Sequence, residues 1–198
     1  MRGAGVTVVD TGVANLHSVT SALDRLGARW KVADDFGTVA SADRIILPGV
    51  GSARAGMAAL ENKGLADVLV AFERPMLGIC LGMQMLYEGL GESGGRGLGR
   101  LRGDMVRLDA GGQPLPHMGW NTLGGVTDDP LMDGVENGDF AYFVHSYATG
   151  PSGQSLATAV YGESFTAVGR NGYAMGCQFH PERSGSVGAR ILSNFMSL

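Results

Sequence analysis

The chain has 198 residues, of which 44% are apolar and 17% charged, and its formal net charge is −4. Such a chain forms a globular core without disulfides or a metal. The charge excludes nucleic-acid binding through a basic surface, and there is no run of about eighteen apolar residues to span a membrane. Two cysteines and no signal-peptide pattern indicate a reducing, cytoplasmic location, with no metal site and no cofactor.

The first half of the sequence alternates between strand and helix signals. Short apolar runs predict strands at residues 6–10, 30–32, 44–47 and 76–79. Helical spacing of apolar residues predicts helices at 15–26, at 57–72 with a break near Gly64, and at 81–90. This alternation predicts a parallel sheet with right-handed crossovers, whose functional site lies beyond the carboxyl ends of the strands.

The second half is rich in strand signals. Seven glycines between residues 89 and 103 predict a flexible connection, which strands at 105–108, 141–144, 157–160, 166–168 and 174–179 follow. A closing helix is predicted at about 188–196. The expected fold class is α/β, an open and mostly parallel sheet flanked by helices, with a strand-rich antiparallel part in the second half. We expect residues 1–198 to form a single domain.

A cysteine lies between a predicted strand and a predicted helix, in the pentapeptide Gly78-Ile79-Cys80-Leu81-Gly82. This is the cysteine form of a nucleophile elbow, in which flanking glycines avoid collisions at a tight turn. The helix dipole at that position favours a thiolate. The alternative is a buried structural cysteine, the more common role of a lone cysteine.

A base for this thiol is present 100 residues downstream, in Gln178-Phe179-His180-Pro181-Glu182. Pro181 favours extended backbone at His180, and alternate residues of extended chain point the same way, so Glu182 would orient the imidazole. The motif therefore predicts a Cys-His-Glu triad. Taken alone, His180 could simply end a strand beside a solvated Glu182.

A second glycine-rich strand end, Pro48-Gly49-Val50-Gly51-Ser52, offers backbone N–H groups to an anion. With the N–H of Leu81, it could form an oxyanion hole. The remaining cysteine and histidines have structural interpretations. Cys177 is expected in the core, His17 on the surface of the first helix, and His117 and His145 at strand ends.

The motifs around Cys80 and His180 resemble those of the class I, or triad, glutamine amidotransferases, and the likeness covers essentially the whole chain. The resemblance implies a flavodoxin-like fold and hydrolysis of the glutamine side-chain amide through a thioester on Cys80. Segments 15–19, 48–51, 117–121 and 142–147 resemble the branch of the family that supplies ammonia to imidazole glycerol phosphate synthase in histidine biosynthesis.

The resemblance also implies a role for each matching residue. Cys80 would attack the amide, His180 would protonate the leaving ammonia and Glu182 would hold His180. Backbone N–H groups near Val50 and at Leu81 would bind the oxyanion. Glutamine would be bound by Gly49, Gly51, Gln84, His145, Ser146 and Tyr147.

The partner implied by the resemblance is a (β/α)₈-barrel cyclase subunit in a heterodimer, which would use the ammonia to make imidazole glycerol phosphate and aminoimidazole carboxamide ribotide. The matching interface residues are Asn15, Met118, Trp120 and Arg183. Trp120 could instead be a core tryptophan. Residues 10–15 lack the aromatic residue and one glycine that the family often has there, and Arg183 replaces a frequent lysine.

Three other functions remain open from the sequence. The chain could serve a different synthase, or be a catalytically silent assembly subunit. It could also be a thiol chaperone or peptidase of the flavodoxin-like superfamily. The leading interpretation predicts low activity of the chain alone, with residues 49–51 as a switch in the oxyanion hole, since peptides next to glycine flip easily.

Overall fold

The computed structural model describes residues 5–12, 14–91 and 94–198. The residues outside these ranges are 1–4 at the N-terminus, Val13 in the first loop, and Glu92 and Ser93 in the glycine-rich stretch. Among the described residues, no helix is long and apolar enough to cross a membrane.

Within residues 5–12 and 14–91, the structure has five strands and five helices. They are, in chain order, β1 (Val6–Val9), α1 (Leu16–Arg25), β2 (Trp30–Ala33), α2 (Phe36–Ala40), β3 (Arg44–Gly49), α3 (Ala53–Asn62), α4 (Ala66–Val70), β4 (Met76–Cys80), α5 (Leu81–Leu86) and β5 (Tyr87–Leu90).

The second half contains eight strands and a closing helix. They are β6 (Gly95–Arg96), β7 (Leu101–Arg107), β8 (His117–Thr122), β9 (Phe140–His145), β10 (Tyr147–Ala148), β11 (Ser155–Tyr161), β12 (Glu163–Asn171), β13 (Ala174–Cys177) and α6 (Gly185–Ser197), with 3₁₀ turns at Pro130–Met132 and Pro181–Arg183.

A seven-stranded sheet in the order β11-β12-β13-β4-β3-β1-β2 forms the centre of the fold. Strands β13, β4, β3, β1 and β2 are parallel, while β11 and β12 extend one edge in antiparallel fashion. Every residue of β1, β3 and β4 is buried, as expected for parallel strands covered on both faces. The predicted fold class is confirmed, including its antiparallel part.

Two apolar clusters lie on opposite faces of this sheet, because alternate residues of one strand point to opposite sides. Val8 and Ile46 belong to one cluster, together with α1 and α6 residues. Val9 and Ile45 belong to the other, together with α3, α4 and α5 residues. The carboxyl ends of the parallel strands are thereby held in fixed relation to one another.

Helix boundaries follow local capping signals. The Asn15 side chain accepts a hydrogen bond from the Ser18 N–H at the start of α1, and Gly27 follows the helix with a φ of +65°. Gly64, also at +65°, separates α3 from α4, which confirms the predicted break. The closing helix begins at Gly185, three residues earlier than expected.

The predicted helix at 81–90 is wrong in its second half. Helix α5 ends at Leu86, and residues 87–90 form β5, which pairs with β6 and β7. The glycine-rich stretch is therefore partly strand rather than a flexible connection. Strand β3 continues through Gly49, and β13 ends at Cys177 instead of residue 179.

Candidate active site

Cys80 ends β4 and precedes α5 with φ 52° and ψ −108°, the one positive φ at a non-glycine residue within the described ranges. The two flanking glycines make this turn possible. A Cβ on Gly78 would lie 2.6 Å from the Gly82 carbonyl carbon, and a Cβ on Gly82 would lie 1.7 Å from the Leu47 carbonyl oxygen. The predicted elbow is present, and its strain is concentrated at the cysteine.

Cys80 is 7% exposed and belongs to an apolar cluster, but its thiol has polar neighbours. Its thiol donates a hydrogen bond to the Val144 carbonyl oxygen at 3.5 Å and accepts one from Nε2 of the buried Gln178 at 4.0 Å. The His180 side chain lines the same pocket as this thiol. These contacts place the sulfur at the junction of β4, β9 and the segment after β13.

His180 and Glu182 meet although the backbone between them is not fully extended. His180 has extended dihedral angles, but Pro181–Arg183 forms a 3₁₀ turn, so the expectation of continuous extended chain is wrong. Within this turn Nδ1 of His180 still lies 2.9 Å from Oε1 of Glu182. The Glu182 side chain is only 4% exposed, which keeps the carboxylate largely dry.

The environment of His180 favours its charged form. Burial lowers the pKa of the imidazole, but its interactions with Cys80 and Glu182 outweigh burial and raise the pKa to about 10. Glu182 also contributes to raising the pKa of the Cys177 thiol, although burial is the main cause. Cys177 is completely buried, as predicted.

A pocket of about 290 Å³ lies in front of the Cys80 thiol and is called here the thiol pocket. It is lined by Val50, Gly51, Cys80, Leu81, Gln84, Pro116, Val144, His145, Ser146, Tyr147 and His180. Every residue predicted to bind glutamine or the oxyanion lies here, except Gly49. The parallel topology brings together the ends of β3 and β4, and the end of β9, from the separate β8–β9 pair, completes the pocket.

A second pocket, of about 190 Å³, is also lined by His180 and is called here the outer pocket. It is lined by Asn15, Val19, Pro48, Gly49, Val50, Ile79, Tyr142, Val144, His180, Glu182 and Arg183. Val50, Val144 and His180 line both pockets. The outer pocket therefore adjoins the thiol pocket and contains two of the predicted interface residues, Asn15 and Arg183.

Backbone and amide groups organise the wall of the thiol pocket opposite the glycines. Nε2 of Gln84 lies 3.1 Å from the Tyr147 carbonyl oxygen and 3.3 Å from Oε1 of Gln178. The same Tyr147 oxygen lies 3.0 Å from Nδ1 of His145. The wall is thus a hydrogen-bonded unit that reaches Cys80 through Gln178.

The other two predicted interface residues lie on β8 and point outward. Met118 is 64% exposed and Trp120 is 56% exposed, so Trp120 is not a core tryptophan. The indole packs edge-on against Tyr142, at 5.8 Å between ring centroids. Because Tyr142 lines the outer pocket, Trp120 lies next to the pocket that Asn15 and Arg183 also line.

Three residues of the site were not singled out from the sequence. Gln178 was within the histidine motif, and its spacing of two from His180 could have placed it beside the thiol. Val144 contributes a carbonyl oxygen, for which a sequence holds no signal. Tyr142 belongs to segment 142–147, but only the pairing of β8 with β9 places it next to Trp120.

The sequence of residues 7–198 matches the profile of the family described as glutamine amidotransferase class-I. The imidazole glycerol phosphate synthase subunit HisH of Shewanella loihica is 44% identical, over 100% of this chain and 92% of its own length. The corresponding HisH 2 of Legionella pneumophila is 46% identical, and HisH 1 of Vibrio vulnificus is 43% identical, each over 98% of both chains.

Solved structures share the fold at lower sequence identity. A crystal structure of a glutamine amidotransferase has a TM-score of 0.76 and 19% identity over 98% of both chains. The structure of PurLQS from Thermotoga maritima gives a TM-score of 0.73 and 20% identity over 98% of both chains. A glutamine amidotransferase from Thermotoga maritima gives 0.67 and 18%, over 100% of this chain and 82% of that one.

Proposed function

Because the chain belongs to the class-I glutamine amidotransferase family, as its motifs predict, we propose that it is the glutaminase subunit of an imidazole glycerol phosphate synthase. It hydrolyses glutamine to glutamate and ammonia and passes the ammonia to a synthase subunit. The relatives at 43–46% identity support this branch of the family over one that serves another synthase.

The nucleophile in this proposal is Cys80. The sulfur reacts as the thiolate, because its proton lies on His180, and it attacks the side-chain carbonyl carbon of glutamine held in the thiol pocket. A C–S bond forms as the carbonyl π electrons move to oxygen. The N–H of Leu81 and an N–H near Val50 donate hydrogen bonds to the resulting oxyanion. This assignment is supported by the position of both residues around the sulfur in one pocket.

His180 supplies the proton that the leaving group needs. With its raised pKa the imidazole is protonated at neutral pH, so it can donate to the amide nitrogen as the C–N bond breaks and ammonia leaves. Water then attacks the thioester, His180 takes up its proton, and glutamate is released with the thiol restored. Glu182 holds the ring through Nδ1.

The substrate contacts follow from the lining of the thiol pocket. Gly51, Gln84, His145, Ser146 and Tyr147 surround the substrate in this proposal, and Gly49 acts from the adjoining outer pocket. The glycines and carbonyl groups suit the zwitterionic end of an amino acid, which requires both donors and acceptors. Residues 49–51 remain the proposed switch, and the φ of +90° at Gly51, which glycine adopts without strain, supports the conformational freedom that a peptide flip needs.

Ammonia leaves through the outer pocket toward the partner, which we take to be a (β/α)₈-barrel cyclase in a heterodimer. The shared lining residue His180 supports this route, because the leaving nitrogen departs from the side where the imidazole lies. Asn15, Met118, Trp120 and Arg183 form the docking surface around the pocket. The exposure of Met118 and Trp120 supports that surface, since large exposed apolar side chains are typical of interfaces.

Two further assignments accompany this function. We take the whole chain as one amidotransferase domain, supported by the direct pairing of β13 from the second half with β4 from the first. We place the protein in the cytoplasm, supported by the two cysteines, which are both free thiols.

The observation that carries the proposal is that Cys80 and His180 line one pocket while Nδ1 of His180 lies 2.9 Å from Oε1 of Glu182. The test is glutamate release by the complex with the synthase subunit, comparing Cys80→Ala with Cys177→Ala. The first variant loses the nucleophile and should lose all activity, while the second removes a buried thiol and should retain it. Activity that survives in Cys80→Ala would exclude the thioester mechanism.

A further inference from the structure

Four residues form a continuous line of hydrogen bonds behind the thiol pocket. We propose that His117 and Asn121, which lie outside the pocket, are positioning residues that fix the ring of His145 and, through it, the Tyr147 carbonyl. The effect on glutamine rests on the proposed function, while the hydrogen-bond line itself does not. Its links are Asn121 Nδ2 to His117 Nε2 at 3.3 Å, His117 Nδ1 to His145 Nε2 at 3.0 Å, and His145 Nδ1 to Tyr147 O at 3.0 Å.

The Tyr147 end of the line sets one direction of donation. A carbonyl oxygen only accepts, so Nδ1 of His145 carries the hydrogen. In the neutral ring, Nε2 of His145 is then an acceptor. Nδ1 of His117 must therefore donate to it, which leaves Nε2 of His117 as an acceptor as well.

The Asn121 end leads to the same direction independently. Its Oδ1 accepts the N–H of Thr122 at 2.8 Å, and its Nδ2 donates to the Val160 carbonyl oxygen at 2.8 Å. These two backbone contacts fix which way the amide faces. The group that faces His117 Nε2 is consequently a donor, as the acceptor there requires.

Strand geometry brings the two ends together. His117 and His145 are directly opposite on β8 and β9. Asn121 is four residues further along β8, and between it and His117 lies Gly119 with a φ of +133°. A regular strand would separate residues 117 and 121 by about 13 Å, so the conformation at Gly119 is what lets their side chains converge.

Both rings are held neutral, which the line requires. Burial lowers the pKa of His117 to about 4. Burial also lowers the pKa of His145 to about 3. The hydrogen bond to Tyr147 opposes this shift, and the nearby His117 and His180 add to it. His117 is stacked on Tyr161 at 4.1 Å and on Phe143 at 4.9 Å between centroids, so aromatic rings occupy the space around it.

The line matters to the pocket because of what else meets the Tyr147 carbonyl. Gln84 donates to the same oxygen and also contacts Gln178, whose amide lies beside the Cys80 sulfur. If His145 loses its donor from His117, its hydrogen can move to Nε2, and Nδ1 then faces the carbonyl as a second acceptor. The repulsion displaces the wall of the thiol pocket that Gln84 and Tyr147 form.

The direct test is the protonation state of each ring nitrogen. The full chain contains four histidines, so long-range ¹H–¹⁵N spectra of protein labelled at histidine can resolve them all. At pH 7 we expect His117 and His145 to be neutral with the hydrogen on Nδ1. Substitution Asn121→Asp places an acceptor against His117 Nε2 and should add a proton there. A hydrogen on Nε2 of either ring in the unaltered protein would overturn the proposal.

The functional test separates hydrogen bonding from packing with two variants of one residue. His117→Phe keeps the stacked ring but removes the donor, whereas His117→Asn loses the ring but places an amide N–H near the position of Nδ1. In the complex with the synthase subunit, we expect the KM for glutamine to rise about five- to tenfold in His117→Phe and to stay within about twofold in His117→Asn, with smaller changes in kcat.

Two results would refute the donor role of His117. An unchanged KM in His117→Phe with a raised KM in His117→Asn would mean that packing alone matters. An equal rise in the KM of both variants would also refute the donor role. If the unaltered complex hydrolyses no glutamine, the proposed function fails, while the ring-nitrogen spectra still decide whether the line exists.

Discussion

Replacing Glu182 with glutamine isolates the charge beside His180. Oε1 of a glutamine can still accept the hydrogen bond from Nδ1, so Glu182→Gln removes the negative charge and keeps the contact seen at 2.9 Å. For an imidazolium and a carboxylate whose charges are about 4 Å apart, the attraction is about 4 kcal/mol at an effective dielectric constant of about 20. That energy corresponds to a fall of about three in the pKa of His180.

The expected consequence is a loss of activity that depends on pH. With a pKa of about 10, His180 stays protonated up to alkaline pH, and in Glu182→Gln the pKa falls to about 7. The rate of glutamate release at saturating glutamine should then fall about a hundredfold at pH 9, and less than about twofold at pH 6.

The same coupling affects stability with a defined sign. Because the folded-state pKa of His180 is raised, its contribution is complete below pH 6.5, the ordinary pKa of histidine, and is lost as the pH rises through about 10. In denaturant unfolding, Glu182→Gln should therefore have a lower free energy of unfolding than the unaltered chain at neutral pH. Most of this difference should disappear above pH 10.

The assay uses the complex with its synthase subunit between pH 6 and pH 10. Glu61→Gln, which removes one negative charge from an exposed position of α3, is the matched control and should leave the profile unchanged. Equal losses of activity at pH 6 and pH 9 in Glu182→Gln would refute the electrostatic reasoning, because they would mean that Glu182 only orients the His180 ring.

Three further predictions concern the elbow, the docking surface and the two thiols. Gly82→Ala brings a Cβ within 1.7 Å of a carbonyl oxygen and should destabilise the chain by about 3 kcal/mol or more in thermal unfolding, whereas Gly150→Ala, with open space around it, should be nearly neutral. Trp120→Ala should weaken the affinity for the synthase partner about thirtyfold in calorimetry with little change in melting temperature; an unchanged Kd would remove Trp120 from the interface. Iodoacetamide should alkylate Cys80 and spare the fully buried Cys177 in mass spectra, and modification of both at similar rates would contradict the site.

The parallel core could be predicted from the sequence because its signals are local. Strands β1, β3 and β4 are runs of apolar residues, and each ends at a turn signal or a motif. The elbow could be predicted for the same reason, since Gly78 and Gly82 flank Cys80 within five residues. Topology then brings the histidine motif beside the thiol, because β13 pairs with β4.

The segment after α5 could not be assigned in this way. Met83, Leu86 and Leu90 have helical spacing, and that pattern predicts one helix through residue 90. The chain instead forms β5, where Tyr87 and Leu90 are buried through pairing with β7, whose residues are about fifteen positions away. This pairing requires a glycine at position 89, because a Cβ there would lie 1.9 Å from Oδ1 of Asp104. No local pattern in the sequence reveals that contact.

Other parts of the site depend on side-chain contacts between distant strands. The link from His117 to His145 requires the register of β8 with β9, and the one from Gln84 to Gln178 joins residues 94 apart. From their residue type alone, His117 and His145 were predicted only as structural histidines at strand ends. Helix α2, a single turn of five residues, was too short for a periodic signal.

Glutamate release from glutamine, measured first with this chain alone and then with a (β/α)₈-barrel cyclase loaded with its nucleotide ligand, tests the central claim most directly. We expect little release by the chain alone and a large rise on addition of the loaded cyclase. An equal rate in both mixtures would contradict the dependence on this partner and indicate service to another synthase. The absence of release in either would contradict the glutaminase function itself.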